Sequence, residues 1–283
     1  MRAAADRGSN IGRRALAAGV AALAAAPAAA RAGSAHADGP WPMLAQAIFK
    51  DAPIHDGAGL FAIEAPYRAA DAALVPIAMQ ISLPENDSRR VERVSLVIDQ
   101  NPSPLAASFS LGAGSGIDRI ETHVRVDDYT YLHAVAALSD GGVYAVRRYV
   151  KAAGGCSAPA VRDEAGGPPL GTMRFREFAP RPGLPAGLRE AQLMIRHPNN
   201  SGMQMDQITR YYIPAHFITR VRIWQGATLL LAIESGISIA QNPSFRFRFR
   251  PQAGAPAGTA TFRADATDNM GGRFAGHWPA VAA

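Results

Sequence analysis

Residues Phe245-Arg246-Phe247-Arg248-Phe249-Arg250 alternate strictly between aromatic and basic side chains. A period of two places three rings on one face of an extended chain and three guanidiniums on the other, which only a half-buried β-strand can use. Similar short apolar or alternating stretches recur through most of the chain. They cover Ala73 to Leu83, Arg93 to Asp99, Ala106 to Leu111, Ile117 to Val126, Tyr131 to Ser139 and Val143 to Val150. A second series covers Met173 to Phe178, Glu190 to Arg196, Phe217 to Trp224, Thr228 to Glu234, Ile237 to Ala240, Ser244 to Arg250, Gly258 to Ala266 and Arg273 to Trp278. Turn residues separate them, among them Pro84-Glu85-Asn86-Asp87 and Asn101-Pro102-Ser103-Pro104, and Asp140-Gly141-Gly142 is a hairpin signal. One short helix is expected over Pro42 to Phe49, with Leu44 and Ile48 on one face.

Between the two strand series lies Lys151 to Leu170, KAAGGCSAPAVRDEAGGPPL, built of small residues, glycine pairs and prolines with no periodic apolar face. It reads as a linker or exposed arm. Two sets of short strands split by a Gly/Pro-rich segment predict an all-β chain of two immunoglobulin-like β-sandwich domains. The expected division is a leader over 1–37, a first sandwich over 38–152, the cysteine-bearing linker over 153–170 and a second sandwich over 171–283.

The leader is an export signal by its pattern. Arg13-Arg14 precedes an Ala-rich apolar stretch from Ala15 to Ala30 and then Ala35-His36-Ala37, a small-residue cleavage motif. The paired arginines point to the twin-arginine route and hence to a periplasmic protein. About 16 apolar residues fall short of the ~20 that span a bilayer, so no membrane span is expected after processing. The leader also carries five of the arginines against one acid, so most of the formal +6 belongs to it. The remainder holds two lysines, Lys50 and Lys151, and no basic run, which excludes nucleic acid as a partner.

No local motif announces catalysis. His55, His123, His133, His197, His216 and His277 form no HExxH or H-x-H pattern and have no cysteine pair beside them, so no metal site is expected. Gly112-Ala113-Gly114-Ser115-Gly116 lacks the Lys-Ser/Thr of a phosphate loop and reads as a turn. Asp127-Asp128 looks like solvated charge. No cofactor is implied.

What remains is Cys156, the single cysteine. A lone thiol in an oxidising compartment is buried, incidental, or used for intermolecular sulfur chemistry. Gly154 and Gly155 precede it, Ser157-Ala158-Pro159 follow, and no apolar pattern surrounds it, so an exposed and reachable thiol is expected. Arg147, Arg148, Lys151 and Arg162 lie close in sequence, and cations favour the nucleophilic thiolate.

Several motifs in order carry a resemblance. VPIAMQISLPEN from Val75, VSLVIDQNPSPLAASFSL from Val94 and LSDGGVYAVRRYVKAAGGC ending at Cys156 resemble SoxY. MIRHP from Met194, IPAHFITRVRIWQG from Ile213, SIAQNPSFRFRF from Ser238 and DNMGGRF from Asp268 resemble SoxZ. The chain is thus similar to a single-chain fusion of the SoxYZ sulfur-carrier family, of the type found beside quinoprotein dehydrogenases. The resemblance implies a non-catalytic carrier for sulfur compound oxidation, with Cys156 as the covalent carrier site and Gly154 and Gly155 as the swinging arm. It also implies partner enzymes of a sulfur-oxidation or quinoprotein dehydrogenase system. Here Ser157 and Ala158 replace the trailing glycines of the family's GGCGG, and a second domain follows. The rival readings are a non-thiol accessory protein of such a dehydrogenase system and a redox enzyme in its own right, the latter without a resolving cysteine.

Overall fold

A computed structural model describes residues 39–84, 86–159, 167–179, 181–251 and 261–279; the leader lies outside them. The one helix among the described residues, α1 (Trp41–Phe49), begins on prolines, whose fixed φ suits the first helical turn. It sets Trp41 flat against His133, ring centroids 3.7 Å apart. Among the described residues no helix is long and apolar enough to cross a membrane.

Fifteen strands follow: β1 (Ile54–Asp56), β2 (Phe61–Glu64), β3 (Val75–Ile81), β4 (Val91–Ile98), β5 (Leu105–Leu111), β6 (Arg119–Val124), β7 (Thr130–Leu138), β8 (Val143–Val150), β9 (Met173–Phe178), β10 (Arg189–Ile195), β11 (Ile218–Gln225), β12 (Thr228–Ser235), β13 (Ser244–Phe249), β14 (Thr261–Asp268) and β15 (Arg273–Pro279). They form two sheets, in the orders β1-β8-β7-β4-β5-β12-β11-β14-β15 and β2-β3-β6-β13-β10-β9. The all-β sandwich expected from the pattern is what the chain adopts. The β7–β8 hairpin turns at Asp140-Gly141-Gly142, where Gly141 takes φ +87.

The pattern did not reveal that both sheets run through both halves of the chain. Strand β5 pairs antiparallel with β12, and β6 with β13. A lone sandwich would leave those edges open to pairing with other chains, and here each half covers the other's edge. The side chains of both halves form one apolar core, in which Phe109 of β5 meets Phe245 of β13 edge to face at 6.4 Å. The Phe-Arg alternation works as its period demands. Phe245, Phe247 and Phe249 are fully buried, while the outward Arg248 makes a paired hydrogen bond to Asp118 and Arg246 binds Glu190 at 2.7 Å. Gly112 begins a turn, as expected, and lies so close to β12 that a Cβ would fall 1.7 Å from the Leu229 carbonyl oxygen.

One expected strand is absent and two short ones were not expected. Residues 237–240 do not form a strand; Ile239 turns back on Gly236 and makes only an isolated bridge to Val124, because the chain must bend there to reach β13. Strands β1 and β2 were missed, being three and four residues long and separated by the turn Gly57-Ala58-Gly59-Leu60.

Candidate functional site

After β8 the chain runs along residues 67–69, with Lys151 bonded to the Tyr67 carbonyl, and then turns over residues 154–157. The Gly154 N–H donates to the Asp127 carbonyl at 2.7 Å, and that of Gly155 to the Val126 carbonyl at 3.0 Å. The Cys156 N–H donates to Asp127 Oδ1 at 3.2 Å. Each glycine has a specific reason here. Gly154 holds φ +75, which side-chain-bearing residues rarely adopt, and a Cβ on Gly155 would sit 2.1 Å from the Ala72 carbonyl oxygen. The pair expected to let an arm swing serves, in this conformation, to dock it.

Docking buries the thiol. Cys156 is 0% exposed, which overturns the expectation of an exposed, reachable sulfur. The local sequence offers nothing to bury it against; the cover comes from distant segments. Ser201 Oγ donates to the Cys156 carbonyl, and Gln204 Nε2 donates to that of Ala158 at 3.1 Å. Beneath them lies Arg125, itself 2% exposed, donating from Nη1 to the Gly155 carbonyl at 3.2 Å and from Nη2 to the Asn199 carbonyl at 3.3 Å. One side chain of the first half therefore ties the cysteine turn to the second half.

The electrostatics follow from this burial. Loss of solvent raises the Cys156 pKa to about 12; the Asp127 carboxylate adds to the rise, and Arg125 only partly opposes it. At neutral pH the docked group is a thiol, so the expectation of a cation-favoured thiolate does not hold for this state. The neighbouring cations point elsewhere. Arg147 lies over the Tyr131 ring, Arg148 donates to the Ala65 carbonyl, and Lys151 lies over the Tyr67 ring. Arg162 is outside the described residues. Sequence reasoning missed Arg125 because it sits inside an apolar run, and it dismissed Asp127, whose half-buried carboxylate holds the turn. A charged residue in the interior of a strand pattern, Val124-Arg125-Val126, was the signal that could have found the first.

A second titratable cluster lies in the later half. His197 follows β10, His216 precedes β11, and Asp268 ends β14. Asp268 Oδ2 lies 2.8 Å from His216 Nε2 and 3.5 Å from His197 Nε2. Burial opposes ionisation of Asp268, but hydrogen bonds from His216, Gly272 and Met270, with the nearby His197 ring, outweigh it and lower its pKa.

Two family models match the chain, sulfur oxidation protein SoxY over residues 45–156 and sulphur oxidation protein SoxZ over residues 181–279. No curated protein matches it in sequence. Among solved structures it is similar to the sulfur carrier protein SoxY from Chlorobium limicola f thiosulfatophilum. The identity is 24%, over 39% of this chain and 89% of that one, with a TM-score of 0.32. It is also similar to superoxide reductase (neelaredoxin) from Ignicoccus hospitalis, at 14% identity over 32% of this chain and 78% of that one, with a TM-score of 0.29.

Proposed function

Because the chain belongs to the SoxYZ sulfur-carrier family, with its SoxY and SoxZ parts in one polypeptide, we propose that it carries a sulfur-containing group covalently on Cys156 in the periplasm. The observation that carries this reading is that the SoxY match ends on the chain's single cysteine, placed after Gly154 and Gly155. SoxY and SoxZ are carrier or accessory proteins of sulfur oxidation, and the working partners proposed here are the enzymes of a sulfur-oxidation or quinoprotein dehydrogenase system. Loading joins the Cys156 thiol to the thiol form of a small sulfur compound as a disulfide, and a partner oxidant removes two electrons and two protons. Removal is thiol–disulfide exchange: a partner thiolate attacks the carried sulfur, keeps the group as a mixed disulfide, and Cys156 leaves as the thiolate and regains a proton.

The docked turn gives this carrier a closed state. Sulfur and proton are shielded while the protein is free, and loading requires residues 154–158 to leave their seat. What must break is a handful of hydrogen bonds, each worth about 1 kcal/mol net, and no strand of either sheet. Intact mass of protein taken from its host, before and after reductant, tests the reading. A reductant-labile adduct on Cys156 is expected, and Cys156→Ser should abolish function in the host.

The same burial is the observation on the side of the rival reading, an accessory protein that binds through its sandwich surfaces. Full host function in Cys156→Ser, with no adduct in any preparation, would establish that rival. The proposed location has its own test. Arg13→Lys with Arg14→Lys should stop export, and undiminished periplasmic yield would remove the twin-arginine route.

A further inference from the structure

We propose that His197 Nε2, His216 Nε2 and Asp268 Oδ2 bind a divalent first-row cation of the imidazole-preferring kind, zinc foremost, with one position left open on the His216 side. These three atoms lie within 4.8 Å of one another, and the two distances to the carboxylate are 2.8 and 3.5 Å. Ligands held about 2.0–2.1 Å from a tetrahedral zinc ion stand roughly 3.4 Å apart, so the cluster needs only a small adjustment to enclose one. Two imidazoles and a carboxylate form a donor set that zinc and its neighbours take readily.

The independent sign is His197. Its side chain is 0% exposed, and Nε2, which faces the other two ligands, has no hydrogen-bond partner. A buried ring nitrogen left in that condition is uncommon. Its other nitrogen, Nδ1, lies 2.9 Å from Asn199 Oδ1. The orientation of that amide is set from outside the cluster, since Oδ1 accepts the Ile218 N–H and Nδ2 donates to the Ile239 carbonyl. With its proton on Nδ1, His197 donates to Asn199 and presents a lone pair at Nε2, which is the tautomer a cation selects. In the other tautomer Nδ1 accepts the Asn199 N–H at 3.1 Å and Nε2–H faces Asp268.

The remaining ligands are held in the same manner. Asp268 Oδ1 accepts the N–H groups of Met270 at 2.9 Å and Gly272 at 2.7 Å, which leaves Oδ2 for the cluster. His216 is fixed by its backbone pairing with Asn200. The Asn269 side chain clasps the same loop through Phe217 and Ala215. Each ligand is thus positioned by bonds that do not depend on the cation, as a preorganised site requires. His216 keeps a quarter of its side-chain surface, which gives an entry path and room for a water or an exogenous ligand at the fourth position.

The sequence concealed this because ligands 19 and 52 residues apart match no local motif, and they converge only where three strand ends meet. The test uses the untagged, processed chain after treatment with chelator. Titration with zinc chloride by calorimetry should show one saturable site per chain. His216→Ala should weaken it by about 100-fold or more, while exposed His277→Ala leaves it unchanged. Cobalt(II) added to the wild-type chain should give the visible d–d absorption of a four-coordinate site, a readout that stands even if a variant folds poorly. No saturable site, or equal losses in His216→Ala and His277→Ala, overturns the assignment.

Discussion

The two halves of this protein are joined in two places that differ in kind. At the sheet seam, β5 lies on β12 and β6 on β13, with Phe109, Phe245 and Phe247 sealed inside and continuous backbone ladders outside. At the cysteine turn, contact with the second half is made by hydrogen bonds, from Ser201, from Gln204 and from Arg125 to Asn199. Apolar burial over two sheets opens only with the whole fold, whereas a few polar contacts that hold a single turn can open locally. The contrast separates a seam that holds the fold together from a closed seat around Cys156 that can open without it.

The largest effect should come from the seam. Phe247→Ala removes a ring that is 1% exposed and should cost roughly 3–5 kcal/mol in chemical denaturation, by the general cost of emptying an aromatic core site. A loss below about 1 kcal/mol would show that the seam is not packed as described.

Gly155→Ala should do the opposite, sparing the seam and expelling the turn. Its Cβ would meet the Ala72 carbonyl oxygen at 2.1 Å and the Val126 carbonyl oxygen at 2.6 Å, both backbone atoms of ordered segments. Native Cys156 should then react with iodoacetamide at close to the rate of the denatured chain, with the melting temperature little changed. Wild-type Cys156 should be protected many-fold. A wild type as reactive as its denatured form would break the comparison outright.

A smaller effect is expected from Ser201→Ala combined with Gln204→Ala. Two hydrogen bonds of about 1 kcal/mol each correspond to roughly 30-fold faster labelling of native Cys156, again with little change in melting. If melting and labelling shift together, the turn and the seam are one cooperative unit.

The smallest and most specific signature is in pH. Docking raises the Cys156 pKa from 9.0 to about 12, so the closed state holds its proton more tightly than the open one. The stability this gives is fully present below pH 9 and drains away as pH rises from about 9 to 12. Labelling of the native protein should therefore keep rising above pH 9, where the rate for the denatured chain levels off. A plateau in both near pH 9 would mean that the thiol is not held in a desolvated site.

Much of the fold was legible because strands advertise themselves locally. The alternation from Phe245 to Arg250 specifies which face is buried without reference to any other segment, and the Asp140-Gly141-Gly142 turn specifies its own hairpin. Strands β1 and β2 escaped because three or four residues give too short a pattern, and β1 is held by β8, far along the chain. At the site, the sequence supplied Cys156 and its two glycines together with the family motifs, but it misjudged the exposure of the thiol. Small residues without an apolar pattern read as loose chain, yet the absence of side chains is what let Gly155 pack against two backbone carbonyls.

The sequence by itself determined most of the strands, the β class, the family and the position of the one thiol, since all of these rest on residue identity and short-range order. Only the tertiary structure decided that the two sandwich halves share their sheets, that Arg125 lies beneath the cysteine turn, and that His197, His216 and Asp268 converge. Each of these depends on contacts between residues dozens of positions apart. Whether a side chain ends in water or under a distant segment is settled by how strand ends and loops are brought together, and no short window of sequence contains that information.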